Sequence, residues 1–260
     1  IALAKNIAPV FGGINLEDIE APRCFEIERR LIKELGIPVM HDDQHGTAVV
    51  VLATLINAIK VVKKDKDVKI MINGAGAAGT AVCDLLLEYG FKNIVICDSK
   101  GAISKKRNGL NEEKKRLVKV TNKNNEVGDI HQIIKNKDVF IGVSRGNLID
   151  ENDIKNMNSE AIIFAMANPV PEIMPDVAKA AGALIVATGR SDFDNQINNV
   201  LAFPGIFRGA LDNKVKKITN NMLITAAINL SKLVKKPTSD KIIPGPFDKG
   251  ILKAVSSAII

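Results

Sequence analysis

The sequence predicts an α/β protein with a doubly wound, mostly parallel sheet, joined to the remnant of a second, N-terminal domain. Three observations predict this class. Short apolar runs alternate with helical patterns between residues 68 and 188, a glycine-rich turn follows the first run, and the chain opens at Ile1 in mid-pattern. The 260 residues suffice for one large domain or two smaller ones. We place the divisions at residues 1–45, 46–218 and 219–260, the last being helices that pack back on the first domain.

The first part of the chain holds two pairs of adjacent carboxylates. Glu17 and Asp18 stand in "GINLED", and Asp42 and Asp43 stand in "MHDDQHG". A helix that starts near Pro22 separates the pairs in sequence and can bring them together in space; its predicted buried stripe is Cys24, Ile27, Leu31 and Leu35. Because Mg²⁺ prefers a few carboxylate oxygens, Glu17, Asp18 and Asp43 are candidate ligands. A solvated acidic turn, or carboxylates that cap helices, is the alternative.

Two of the three histidines, His41 and His45, flank the second acidic pair at a spacing of four residues. That spacing also occurs in zinc sites, but no third nitrogen or sulfur ligand is nearby. We also predict that the next helix starts after both histidines. We therefore expect His41 and His45 to support the site without binding metal.

A strand, a turn, a helix and a second strand are indicated by "VKIMINGAGAAGTAVCDLLLEYGFKNIVICDSKG". Apolar runs predict strands over 68–73 and 93–98, and a one-sided stripe predicts a helix over about 77–89. In the G-x-G-x-x-G turn the first glycine permits a sharp bend, the second lets a pyrophosphate approach the backbone, and the third lets helix and strand pack closely. The predicted cofactor-binding residues of this Rossmann-type unit are Gly74, Ala75, Gly76, Ala77, Ala78 and Gly79.

An aspartate closes the strand that follows this helix. Asp98 stands where a dinucleotide-binding unit carries the acid that accepts hydrogen bonds from the ribose hydroxyls of NAD. Ser99 and Lys100 come directly after it, and a hydroxyl and a cation there could receive the 2′-phosphate of NADP. The sequence therefore predicts a nicotinamide cofactor, with NAD preferred and NADP left open.

Three more short apolar strands lie in "DVFIGVS", "AIIFAMANP" and "ALIVATG". Ligands of such sheets bind beyond the carboxyl ends of the strands, so we expect Ser144, Asn168 and Thr188 on the rim of the cofactor and substrate site. Further on, "TNNMLITAAINLSKLV" predicts a long helix. Its predicted core-facing stripe is Met222, Ala226, Leu230 and Leu233.

Composition argues against several classes of protein. Aromatic residues make up only 4% and tryptophan is absent, so the platforms on which nucleic-acid bases stack are nearly lacking. The net charge of +7 comes from lysines on faces predicted to be solvated and would suit small anionic substrates. No apolar run approaches the roughly 18 residues of a membrane span. The cysteines, Cys24, Cys83 and Cys97, lack metal-ligand spacing and fit buried thiols in a reducing, cytoplasmic setting.

Several longer segments, taken in order, resemble the malic enzymes, especially their short bacterial-type form. These segments are "GINLEDIEAPRCFEIE", "IPVMHDDQHGTA", "GAGAAG", "DSKG", "ANPVPE" and "TGRSDFDNQINNVLAFPGIFRGAL". The resemblance covers nearly the whole chain and implies oxidative decarboxylation of malate to pyruvate and CO₂, dependent on NAD(P) and a divalent metal, in a homodimer. It implies that Glu17, Asp18 and Asp43 bind Mg²⁺ or Mn²⁺.

The same resemblance implies roles for polar residues nearby. Asp42 is similar to the acid that orients the family's catalytic lysine. Asn168 and Asn199 would contact malate, with Thr47 and Asn198 close by. Ser144 and Asn168 are also expected to contact the cofactor.

Two departures from the family pattern stand out. Asp194 replaces a usual proline, which would relax its loop, and the family's general-acid tyrosine and general-base lysine lie upstream of the "GINLED" stretch. The single tyrosine, Tyr89, lies on an apolar helical stripe and is expected to be structural. Because the chain opens at Ile1 in mid-pattern, we expect an upstream part and little activity from these residues alone. The rival functions are an amino acid or folate dehydrogenase and a non-catalytic NAD-binding module.

Overall fold

The computed structural model describes residues 1–260 and contains two sheets and eleven α-helices. The strands are β1 Ile14–Leu16, β2 Val39–His41, β3 Lys69–Asn73, β4 Asn93–Asp98, β5 Gly101–Ala102, β6 Val139–Gly142, β7 Ile162–Ala165 and β8 Ile185–Thr188. The helices are α1 Ala2–Ile7, α2 Arg23–Glu34, α3 Asp42–Val61, α4 Ala77–Tyr89, α5 Glu112–Val120, α6 Ile130–Ile133, α7 Glu151–Lys155, α8 Pro175–Ala180, α9 Phe203–Asp212, α10 Asn220–Ser231 and α11 Ile251–Ser256. Short 3₁₀ turns cover Ala8–Val10 and Asn199–Leu201.

The main sheet has the strand order β5-β4-β3-β6-β7-β8, and only β5 runs antiparallel to its neighbour. The chain moves outward from β3 through β4 to β5 and then returns to lay β6 on the other side of β3. Strand order therefore reverses between β3 and β6, the position at which open α/β sheets bind ligands beyond their carboxyl ends. The predicted doubly wound, mostly parallel sheet is confirmed.

Both faces of this sheet are covered. Ile70 and Ile72 of β3 point into the larger core, which α3, α4 and α10 complete, whereas Met71 points into the smaller core on the opposite face. Because each strand is buried on both sides, its sequence is a continuous apolar run without a polar alternation. This explains why short apolar runs were a reliable signal for these strands.

The predicted helices that flank the sheet are present. α4 has the predicted bounds, and the predicted long helix near the C-terminus is α10. On α10, Ala226 and Leu230 are buried, while Met222, and Leu233 just beyond the helix, are only partly buried against the same core. α10 packs on α3, and α11 packs on α9 and α10. The proposed divisions at 45/46 and 218/219 stay predictions, and α3 runs across the first.

The predicted helix near Pro22 is α2. Two of its four stripe residues, Cys24 and Leu31, are buried, while Ile27 and Leu35 are partly buried. The charged residue Glu28 is also buried on this face.

α2 connects two strands that pair in parallel. Leu16 at the end of β1 lies opposite His41 at the end of β2. Since each acidic pair directly follows one of these strands, the register places both pairs at the same edge of the small sheet.

α3 begins earlier than the sequence predicted. It starts at Asp42, directly after β2, so His45 lies within its first turns and the prediction that the helix starts after both histidines is wrong. Carboxylates are favoured at this end of a helix because the N-terminal N–H groups carry partial positive charge. Gly46 lies inside the helix, and a Cβ there would collide with the Asp42 side chain, so glycine permits the helix to continue past that aspartate.

α3 is also long and apolar enough, by length and composition alone, to cross a membrane. In the structure 78% of its most apolar stretch is buried inside the fold. It packs between α4 and α10, as the central helix of a globular core does.

Candidate cofactor and substrate site

The glycine turn joins β3 to α4 at the switch point of the sheet. Gly74 has a φ of 123°, in the region that L side chains rarely adopt, and a Cβ at Gly79 would collide with the carbonyl oxygen of Gly74. At Gly76, by contrast, an added Cβ would meet nothing within 4 Å. Gly76 directly precedes the 13 residues of α4, so a phosphate could approach the N–H groups of the helix N-terminus from this open side.

A groove of about 820 Å³ opens in front of this turn. Seven of the predicted cofactor-binding residues line it, namely Gly74, Ala75, Gly76, Asp98, Ser99, Lys100 and Ser144. Ala78 and Asn168 line a neighbouring pocket instead, and Ala77 and Gly79 line neither cavity. Gly79 contributes through close packing under the turn.

Asp98 is held by donors on three residues. Its Oδ1 accepts hydrogen bonds from the Lys100 backbone N–H at 2.9 Å and from Arg107 at 2.8 Å, and its Oδ2 accepts from Arg107 at 3.0 Å and Lys114 at 2.6 Å. Burial alone would raise the pKa of Asp98, but the hydrogen bonds from Arg107 and Lys114 outweigh it and hold the pKa at about 2. A ribose hydroxyl would have to share these oxygens, so the ribose role of Asp98 stays a prediction.

The sequence did not single out Arg107 or Lys114. Arg107 lies on the loop after β5 and Lys114 in the first turn of α5, and both reach back to the end of β4. The only hint in the sequence is that cationic residues follow the strand-end aspartate closely. In a lysine-rich sequence this pattern is too common to be informative.

A second pocket of about 300 Å³ lies next to the groove, and Ser144 lines both cavities. It is formed beyond the carboxyl ends of β6, β7 and β8. Predicted residues from separate segments meet there, namely Asp43, Thr47, Ala78, Ser144, Asn168, Asn198 and Asn199. Thr188 was expected on this rim but is fully buried, because its Oγ1 turns inward to accept the backbone N–H of Arg190 at 3.2 Å.

The acidic pairs lie side by side but do not form a shared ligand set. Asp43 Oδ2 accepts the backbone N–H of Asp18 at 2.9 Å, and Glu17 accepts from the Asn15 amide at 2.7 Å. No three His, Cys, Asp or Glu side chains surround a common metal position. Carboxylates repel one another, and here Glu17 and Asp43 are each held by a separate donor. Carboxylate oxygens are the ligands that a hard divalent cation prefers. The side chains of Glu17, Asp18 and Asp43, however, do not converge on one ion position in this structure.

Asp42 is the most perturbed carboxylate of the cluster. Its Oδ2 accepts from the Asn199 amide at 2.6 Å, whereas its buried Oδ1 has no hydrogen-bond partner. Burial, followed by the charges of Glu17 and Asp43, raises the pKa of Asp42 to about 7. An unsatisfied buried oxygen is costly, and a donor that reached Asp42 Oδ1 would remove that cost.

The histidines hold the β1–α2–β2 segment together. His45 Nε2 lies 2.9 Å from the buried carboxylate of Glu28, which also accepts the backbone N–H of His41 at 2.8 Å. The fully buried ring of His41 contacts the carbonyl oxygen of Ile19 at 3.2 Å. Tyr89 lies at the far end of α4 from the glycine turn, where its ring packs on Phe91 and lies under the Lys66 ammonium.

Glu172 is a residue at the site that the sequence did not single out. It is fully buried, and its carboxylate accepts the backbone N–H of Ser144 at 3.1 Å and of Ala167 at 3.0 Å. Burial raises the pKa of Glu172, against the effect of these N–H groups. It therefore ties the loop after β6 to the loop after β7, the two loops that carry Ser144 and Asn168.

A doubly wound sheet with an open glycine turn, a groove and an adjoining polar pocket at its switch point defines a dinucleotide-binding α/β protein. Residues 44–258 match the family described as malic enzyme, NAD binding domain. The chain therefore belongs to the malic enzyme family, as the sequence motifs indicated.

Individual relatives agree with this assignment. The chain is 51% identical to the bifunctional malic/malolactic enzyme of Bacillus subtilis (strain 168), an alignment that covers 100% of this chain and 64% of that protein. It is 48% identical to the NAD-dependent malic enzyme of Geobacillus stearothermophilus, over 100% of this chain and 55% of that protein. The crystal structure of the NAD-dependent malic enzyme from Thermotoga maritima superposes with a TM-score of 0.96 at 47% identity, covering 99% of this chain and 69% of that one. The chain thus spans less than two thirds of these Bacillus and Geobacillus relatives.

Proposed function

We propose that the protein catalyses, or forms part of an enzyme that catalyses, the oxidative decarboxylation of malate to pyruvate and CO₂ with NAD(P) and Mg²⁺ or Mn²⁺. The observation that carries the proposal is the junction at Ser144, where a dinucleotide-sized groove meets a small polar pocket. Relatives named malic enzymes that align with the whole chain support it.

The groove suits a nicotinamide dinucleotide, which would accept a hydride from the substrate carbon. Gly76 leaves the backbone open where a pyrophosphate would lie, and Asp98 lies where the adenosine ribose would be. Because Arg107 and Lys114 already offset the charge of Asp98, a 2′-phosphate would meet little repulsion there. We propose that the site accepts both NAD and NADP.

The neighbouring pocket suits a small hydroxy acid. Asn168, Asn198 and Thr47 offer amide and hydroxyl donors for carboxylate and hydroxyl oxygens. Asn199 lines the same pocket and donates to Asp42, so it connects the substrate side to the perturbed aspartate.

We propose that Glu17, Asp18 and Asp43 hold the divalent cation, which would stabilise negative charge developing on the substrate oxygens. Support comes from the β1–β2 register, which places the two acidic pairs at one edge, and from the oxygen-only donor set. Each of the present hydrogen bonds engages only one oxygen of Glu17 and of Asp43, so the other oxygen of each carboxylate stays available to the cation once the side chains converge.

The acid–base groups belong elsewhere in the enzyme under this proposal. No tyrosine or lysine lines the small pocket. Since a general acid or base typically contributes about 10² to 10⁴-fold each, we expect residues 1–260 alone to bind cofactor but to convert malate at least about 10⁴-fold more slowly than the complete enzyme.

The test is to purify residues 1–260 and a longer product of the same gene and to follow malate-dependent NAD(P)H formation with Mn²⁺ and with EDTA. We expect activity in the longer product only, abolished by EDTA, and a dimer by light scattering. An amino acid or folate dehydrogenase would not oxidise malate and would not be inhibited by EDTA. Equal rates from the two proteins would show that acid and base lie within these residues.

A further inference from the structure

A second groove lies at the opposite edge of the main sheet, where β3, β4 and β6 begin. Its volume is about 390 Å³, and we call it the basal groove. Its lining residues are Lys69, Lys92, Asn93, Ile94, Val95, Asn122, Lys123, Asn124, Glu126, Lys135, Asn136 and Lys137. Because the strands are parallel, the length of a strand, roughly 15 Å, separates this groove from the glycine turn.

The basal groove concentrates positive charge. Five lysines and one acid, Glu126, line it. Their net charge of +4 is more than half of the net charge of +7 of the whole chain. Lys137 pairs with Glu126 at 2.6 Å. The other four lysines form no ion pair or side-chain hydrogen bond, and the nearby Asp138 is already engaged by Lys64 at 2.9 Å.

The wall of the groove is fixed by internal hydrogen bonds. The buried Asn122 amide donates to the carbonyl oxygens of Ile103 and Glu126, and its side-chain oxygen accepts the Glu126 N–H at 2.7 Å. This fastens the loop over residues 122–126 and positions Glu126 against Lys137, whose side chain is only 6% exposed. The groove is therefore a concave recess lined by four exposed cations and by one buried, paired cation, Lys137.

We infer that the basal groove binds a compact polyanion that carries at least two phosphate or carboxylate groups. Four unpaired ammonium groups around one recess repel one another, and a polyanion that contacts several at once would relieve this repulsion. A single monovalent anion would contact too few of them. Nucleic acid fits poorly because no aromatic side chain lines the groove for base stacking. The inference is independent of the proposed function because the site shares no residue with the cofactor groove.

The test is calorimetric titration of the protein at constant ionic strength with pyrophosphate, citrate and orthophosphate, in the presence of saturating NADH. NADH blocks the glycine turn, which could itself bind pyrophosphate. We expect pyrophosphate or citrate to bind at least tenfold more tightly than orthophosphate, and the difference between the first two to identify the preferred group. Loss of all pyrophosphate and citrate binding when NADH is present would overturn the inference.

Two matched variants locate the binding. Lys123→Gln/Lys135→Gln removes two exposed cations from the groove, and Lys216→Gln/Lys217→Gln removes two exposed cations from the distant segment between α9 and α10. We expect the first to weaken binding about tenfold and the second to leave it unchanged. Equal weakening by both would mean a nonspecific charge effect. A single-stranded oligonucleotide that bound through the same lysines, without pyrophosphate or citrate binding, would also overturn the inference. Circular dichroism checks that both variants are folded.

Discussion

Single residues in one motif do different physical work. Gly76 and Gly79 both belong to the glycine turn, but a Cβ at Gly76 would enter open space, whereas a Cβ at Gly79 would collide with the backbone of Gly74. Gly76 therefore leaves space for a ligand, whereas Gly79 leaves space for the close packing of helix and strand. The motif alone assigns these roles by position, and the structure supplies the contact that justifies each.

We expect Gly76→Leu to keep its unfolding temperature and to lose at least tenfold in NADH affinity, because the side chain would fill the place of a pyrophosphate. Gly79→Ala should destabilise the protein by about 1 to 3 kcal/mol, since the backbone it meets cannot yield cheaply. The gain in helix propensity, about 1 kcal/mol, offsets only part of this. Thermal unfolding and a fluorescence titration with NADH measure both effects. Unchanged NADH affinity in Gly76→Leu would contradict the placement of the cofactor.

Lys114 is expected to favour NADP. It lines the groove and lies 2.6 Å from Asp98, close to where an adenosine ribose would lie. We expect Lys114→Ala to weaken NADPH binding about tenfold, the value of one charge-assisted contact, and NADH binding much less. Lys115→Ala, on the same helix but paired with the exposed Glu112, is the control. Equal losses for the two dinucleotides would exclude a 2′-phosphate contact.

At the scale of elements, the sequence predicted what depends on local pattern. The β3–α4–β4 unit was predicted nearly residue by residue because apolar runs, glycines and the strand-end aspartate all lie within one short stretch. The start of α3 was missed because it depends on the pairing of β2 with β1, which ends at His41. Glu172 was missed for a similar reason: its partners are backbone N–H groups on two loops, which leave no trace in side-chain pattern.

α3 is tied to the C-terminal elements by one buried amide. Asn57 Nδ2 donates to the carbonyl oxygens of Ser231 and Ile242, each at 2.9 Å. Asn57→Leu would leave the buried Ile242 carbonyl without this donor and the Ser231 carbonyl with only the 3.3 Å bond from the Val234 N–H, so we expect a loss of about 1 to 3 kcal/mol in the free energy of unfolding. Thr54→Val is the matched control, since Thr54 only bonds back to Val50 of its own helix and should cost well under half as much. Urea unfolding of both variants measures these losses. Similar losses in the free energy of unfolding would show that the Asn57 hydrogen bonds contribute little.

At the scale of the whole molecule, charge is arranged by region. Carboxylates gather at the carboxyl edge of the small sheet, beside the pocket, while unpaired lysines gather at the amino edge of the main sheet. The sequence showed the first arrangement, because the acids are adjacent in the chain. It could not show the second, because Lys69, Lys92 and Lys135 come from three separate connections that only the parallel sheet brings together. Lysines that looked like solvated faces in sequence thus form a recess.

The pH dependence of unfolding should report the Asp98 ion pairs. The pKa of Asp98 is held at about 2, below its ordinary 3.8, so its contribution to stability is fully present well above pH 4 and is lost as pH falls towards 2. The shift corresponds to about 2 kcal/mol at pH 7, falling to about 1 kcal/mol at pH 3. We expect Asp98→Asn to be less stable than the unchanged protein by about that amount at pH 7, and the difference to shrink at pH 3. Asp240→Asn removes an exposed pair with Lys179 and should have a smaller effect at either pH, because water screens that pair. Urea unfolding of the three proteins at both pH values tests this, and an Asp98→Asn difference that stayed constant would mean that the Arg107 and Lys114 contacts do not hold the carboxylate in solution.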